Sequence, residues 1–143
     1  MTPAWWRELA AAPAYRRGLL ELAANDPFAA HEAWEELWRT LPRGTDPASC
    51  LQAMIQLCAA LVKGAQARPR GSRKLLERAH ERLVRLQPAP AWCCELLPTL
   101  AAELAWLRRY ARWPEVRRER LRDRLVTLLE AASYAEAPDD VVE

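Results

Sequence analysis

Apolar residues recur every three or four positions along most of this chain, the repeat of helices that bury one face. Leu75, Leu76, Ala79, Leu83 and Leu86 fall on one side of such a helix, with Arg78, Arg82 and Arg85 opposite. Leu97, Leu100, Leu104, Leu107 and Ala111 form one stripe further on, and Trp106, Tyr110 and Trp113 form a second stripe nearly opposite, so that helix needs two neighbours. From Ala48 to Val62 there is no charged residue, which marks a central helix covered on most sides.

Prolines set the starts. Thr2-Pro3, Asp26-Pro27 and Asp46-Pro47 each put a capping side chain before a proline suited to the first helical turn. The pattern predicts helices over Pro3 to Ala11, Ala14 to Ala24, Pro27 to Leu41, Pro47 to Gln66, Ser72 to Gln87, Pro98 to Arg112 and Pro114 to Tyr134. The links Pro42 to Asp46, Ala67 to Gly71 and Gln87 to Ala91 are short. The three helices between Pro27 and Gln87 should therefore run as antiparallel neighbours and make the core bundle.

Composition agrees with this reading. Ala, Leu and Arg dominate the 143 residues, with four Gly and one Phe, and the length suits a single domain. The expectation is an all-α antiparallel bundle over residues 1–143, with a C-terminal helical extension at 98–134 and an acidic tail at 135–143. No apolar run appears long enough to span a membrane, and the start of the chain lacks a signal peptide's basic and apolar regions, so a cytoplasmic protein without membrane contact is expected. Cys50, Cys58, Cys93 and Cys94 form no Cys-x-x-Cys pair and read as free thiols in a reducing compartment.

The segment Phe28 to Arg39, FAAHEAWEELWR, concentrates the candidate chemistry. At 100° per residue, Trp34, Leu37, Trp38 and Leu41 form the apolar face, His31 falls beside Trp38 on its edge and Glu35 one step further round. On the central helix Gln52, Gln56 and Lys63 lie within about 40° of one another, a narrow polar seam on an apolar rod. A buried amide left unpaired costs about 1–3 kcal/mol. His31 and Glu35 across a tight hairpin are the economical partners, with Trp34 and Trp38 excluding water. The expected result is a structural cluster of His31, Glu35, Gln52 and Gln56 between two helices.

Three motifs then match a known family. FAAHEAWEELWR, then Leu51-Gln52-Ala53-Met54-Ile55-Gln56-Leu57, then Arg70-Gly71 leading into Lys74-Leu75-Leu76-Glu77-Arg78-Ala79, resemble the bacterial and archaeal family called domain of unknown function 309. The resemblance runs from Asp26 to about Leu86. It implies a small all-helical domain and leaves the tryptophan-rich start and last two helices as additions; the family's biochemical role is not established. Its pattern often has histidine where this chain has Lys63, and an ammonium there would repel a cation and pair with Glu35.

A metal site would want more ligands than two histidines and a glutamate supply, so neither metal nor cofactor is expected. A metal-dependent or acid–base enzyme using His31 and Glu35 is the first functional alternative, although no nucleophile or phosphate loop accompanies them. Nucleic-acid binding through the Arg78, Arg82 and Arg85 face is the second, with Glu81 on the same helix arguing for a solvated surface. The sequence thus points to a binding or interaction module. Another protein or a second copy is the expected partner, and Trp106, Tyr110 and Trp113 are either an interface or a face covered by the last helix.

Overall fold

A computed structural model describes residues 2–135, with side chains as far as Ser133. The expected acidic tail beyond Ala135 lies outside the described residues. Among these the chain folds into seven helices and no strand: α1 (Ala4–Ala11), α2 (Pro13–Ala23), α3 (Pro27–Trp38), α4 (Asp46–Ala65), α5 (Pro69–Arg85), α6 (Ala91–Arg109) and α7 (Glu115–Ala135). The fold is all-α, as the periodicity requires.

Local chemistry sets most boundaries. Pro27 opens α3 behind Asp26, whose Oδ1 accepts a hydrogen bond from the Ala29 N–H at 3.0 Å. At α4 the cap is Thr45 instead of the expected Asp46: the Thr45 hydroxyl oxygen accepts from the Ala48 N–H at 3.4 Å, and Asp46 becomes the first helical residue. There its carboxylate lies at the positive end of the helix dipole. Thr2 caps nothing, because Pro3 itself stands at the N-cap of α1.

The largest departure is α6, which begins at Ala91 and carries Pro98 in its interior. A proline inside a helix costs about 3 kcal/mol. Trp92, Cys93, Leu96, Leu100, Leu104 and Leu107 are all buried along α6 on both sides of Pro98. At about 1.5–3 kcal/mol for each large side chain, that stripe outweighs the lost bond. Similarly, α5 starts at Pro69, because Ser72 is no cap: it is buried, and its hydroxyl donates to the Ala60 carbonyl of α4 at 2.8 Å.

The central helix is α4, which packs against α3 and α5 and also meets α1 and α7. Leu51, Met54, Leu57 and Cys58 on it are fully buried. By length and composition alone α4 could cross a membrane, which corrects the expectation that no such segment exists. Here its apolar surface is spent inside the fold.

The N-terminal helices are integral to the core. Trp6 meets Tyr15 edge-on, ring centroids 5.4 Å apart, and touches Trp92 of α6 at the same separation. Trp34 of α3 is fully buried and its Nε1–H donates to the Tyr15 carbonyl at 3.0 Å. The indole lies so close to Gly18 that a Cβ there would stand 2.1 Å from Nε1. Only glycine permits this approach of α2 to α3.

The Trp106, Tyr110 and Trp113 stripe is mostly consumed by the turn between α6 and α7. Trp113 is buried and its Nε1–H donates to Glu103 Oε1 at 2.8 Å. Glu103, only 6% exposed, also accepts two bonds from the Arg117 guanidinium, at 2.9 and 3.0 Å. Trp106 donates to the Arg112 carbonyl at 2.9 Å, and Arg117 lies over its ring at 4.2 Å. Tyr110 alone of the three is exposed.

Candidate anion-binding site

On α3, His31 and Glu35 stand one turn apart, with Nε2 and Oε2 separated by 3.5 Å. The other Glu35 oxygen accepts from the Arg39 guanidinium at the next turn. The carboxylate is thus occupied along its own helix, because i, i+4 partners are nearer than groups on a neighbouring helix. Among the described residues no hydrogen bond joins His31 or Glu35 to Gln52, Gln56 or Lys63, which corrects the cross-helix cluster. His31 Nδ1 and Gln56 Oε1 are both buried without a hydrogen-bond partner. Lys63 makes no ion pair with Glu35; its aliphatic stem crosses Gly71, where a Cβ would stand 2.7 Å from Lys63 Cδ.

The seam divides instead. Gln56 is buried, whereas Gln52, nearer the start of α4, opens into a cavity of about 340 Å³ where three elements meet. The link between α3 and α4 contributes Arg43, Gly44 and Thr45. The first turns of α4 contribute Asp46, Ala48, Ser49 and Gln52; the end of α5 contributes Arg82, Arg85 and Leu86; and Trp38 closes the side toward α3.

Each position follows from a local cause. Gly44 takes a left-handed conformation, φ +77°, and so turns the link tightly enough to bring Arg43 back over Trp38. The Arg43 guanidinium carbon sits 3.9 Å from the centre of the indole ring. Ser49 and Gln52 are three residues apart on α4, and Arg82 and Arg85 three apart on α5, so each pair shares a helix face. Arg82 bridges the two helices, donating to the Ser49 hydroxyl at 3.4 Å.

Electrostatically the site is positive. None of Arg43, Arg82 and Arg85 has a carboxylate partner within ion-pair distance among the described residues, in contrast with Arg17, Arg39, Arg108 and Arg117. Asp46 is the single acid on the wall. The N-terminus of α4 adds its dipole more than free donors: Thr45 already takes the Ala48 N–H, the Ser49 N–H bonds the Thr45 carbonyl, and Pro47 has no N–H. Guanidiniums, a hydroxyl and an amide around one cavity are donors matched to an oxyanion.

Of the sequence candidates, the structure brings Trp38, Gln52, Arg82 and Arg85 together and leaves His31, Glu35, Gln56 and Lys63 elsewhere. Arg78 is exposed and outside the cavity. Arg43 and Ser49 were not anticipated. Their only sequence signal is the Arg-Gly-Thr-Asp-Pro run, in which a turn glycine and a cap residue place a basic side chain at a helix start.

The remaining polar chemistry is quiet. Cys50, Cys58 and Cys93 are buried and Cys94 is exposed, all as free thiols. Burial pushes the Cys58 and Cys93 thiols upward, and likewise the Tyr15 phenol, whose bond to Ser133 at 2.9 Å only partly offsets the effect. Among the described residues no group of three or more His, Cys, Asp or Glu side chains could hold a metal.

Residues 15–75 match the family described as Domain of unknown function (DUF309). The match begins at Tyr15, so it takes in α2, which the motifs had left outside, and ends within α5. Comparison with curated proteins and with solved structures returns no match.

Proposed function

Starting from the match of residues 15–75 to the DUF309 family, we propose that this protein is a binding module that recognises an anionic ligand in the cavity between α4 and α5. The observation that carries this reading is the convergence of Arg43, Arg82 and Arg85, none paired with a carboxylate, on one cavity also lined by Ser49 and Gln52. Arg43 and Arg85 are exposed and Arg82 is half-buried; what suits an oxyanion is that the three flank one recess that also offers the neutral donors of Ser49 and Gln52.

The ligand is bound and not transformed. His31 and Glu35, the pair singled out for proton transfer, do not line the cavity, and Arg39 holds the Glu35 carboxylate. Four free thiols suit the reducing cytoplasm as the place of action. Contact with another protein would follow from the bound state of this module.

Calorimetric titration with inorganic phosphate at low ionic strength tests the proposal. One site is expected, weakened by salt. Arg82→Gln should remove one charge-assisted bond, worth about 1.5–3 kcal/mol, and so weaken binding at least about tenfold. Absence of binding, or binding unaffected by Arg82→Gln and Arg43→Gln, would overturn the reading.

A further inference from the structure

Building on the anion-binding reading, we infer that the ligand is a small phosphate monoester, a phosphorylated metabolite-sized molecule, in preference to a carboxylate, a sulfate ester or a nucleic-acid phosphodiester. Charge balance points there first. Arg43, Arg82 and Arg85 against Asp46 leave a formal charge of two positive units on the wall. A phosphomonoester carries about −1.5 to −2 at pH 7, its second pKa being near 6. A carboxylate, sulfate ester or phosphodiester carries one negative charge and so gains less Coulomb attraction from two net positive units than a dianion does; Arg43 and Arg85 are exposed and Arg82 half-buried, so this gain is screened by salt.

The shape of the site agrees. About 340 Å³ is more than a phosphate group fills, so the group it belongs to has room within the walls. Ser49 and Gln52 on α4 offer a hydroxyl and an amide, each able to donate and accept, as sugar-like hydroxyls require. Leu86 and Trp38, one face of which lies under the Arg43 guanidinium, make up the apolar part of the wall. A nucleic-acid backbone would want a row of cations along a surface, whereas Arg78, which would extend the row on α5, lies outside the cavity.

The test is calorimetry on the full chain with glucose 6-phosphate and glucose 6-sulfate at pH 5.0 and pH 7.5. With the second phosphate pKa near 6, the dianion fraction rises about tenfold between these pH values. Glucose 6-phosphate affinity should rise by about that factor. Glucose 6-sulfate, a monoanion throughout, should bind more weakly at pH 7.5 and change little with pH, and so reports any titration of the protein itself. Arg82→Gln and the more exposed Arg85→Gln should each shrink the difference between the two esters at pH 7.5.

If both esters bind equally well with flat pH dependence, the phosphomonoester assignment is overturned while the anion site stands. If neither they nor inorganic phosphate bind, or if the arginine variants bind like the parent, the site itself is overturned.

Discussion

Replacing Gly18 with alanine sets two effects of opposite sign against each other. In an exposed helix the change gains about 1 kcal/mol from helix propensity. Here the new Cβ would stand 2.1, 2.3 and 2.6 Å from Trp34 Nε1, Cδ1 and Cε2. Ordinary van der Waals contact begins near 3.4 Å, so the indole must retreat by more than an ångström. Trp34 is fully buried and its ring lies nearly parallel to Tyr15, at 17° and 6.3 Å between centroids, which leaves it little room.

Overpacking of this kind costs about 1–3 kcal/mol, and weakening the Trp34 bond to the Tyr15 carbonyl costs about 1 kcal/mol more. After the propensity gain, Gly18→Ala should destabilise by about 1–3 kcal/mol. For a chain of this size that is a fall in Tm of about 4–12 °C. Urea and thermal melts monitored by far-UV circular dichroism measure it. In a Trp34→Phe background the smaller ring should relieve the clash, so that the double-mutant cycle shows coupling. A Tm for Gly18→Ala equal to or above that of the parent would refute the packing of α2 on α3 described here.

Other outcomes follow from the same structure. Glu103→Leu should cost about 3–5 kcal/mol, because it strands the Arg117 guanidinium and the Trp113 N–H together; chemical denaturation checks it, and a near-neutral effect would contradict the network. Tyr15, Cys58 and Cys93 are held protonated in the fold by burial, so above about pH 9–10 the unfolded chain binds fewer protons than the native one. Stability should therefore be at full strength below that range and fall as pH rises through it. Melts from pH 7 to 11 would disprove this if they stayed level. Ellman's reagent should label Cys94 quickly and the other three thiols only on unfolding; four equally fast thiols would contradict their burial. Trp106→Glu should loosen the α6 to α7 turn without changing the molecular mass on a sizing column, and a smaller species would support the interface reading.

What the sequence made legible was periodicity. The uncharged run of α4 and the two-faced pattern of α5 followed from where apolar residues repeat, and both helices exist, α4 within one residue of its expected bounds and α5 starting three residues early. Pro98 misled because a local signal was weighed without the buried stripe on either side of it, and Ser72 misled because a serine near a helix start can also reach a neighbouring helix. The polar seam failed for a different reason. Position around a helix axis says which residues share a face but not which partner a long side chain selects, and Glu35 selected Arg39. The cavity was half legible: Gln52, Trp38, Arg82 and Arg85 each stood out on a helix face, but their convergence depends on how α3, α4 and α5 pack, and the turn at Gly44 supplies Arg43.

The most direct test of the anion site is residue-resolved. Uniformly 15N-labelled protein titrated with inorganic phosphate should show shifts concentrated on the Trp38 indole N–H, the Gln52 side-chain amide and the backbone of residues 43–49 and 82–86, saturating together at one site. Shifts scattered over the arginine-bearing surface, or centred on His31 and Glu35, would contradict the account.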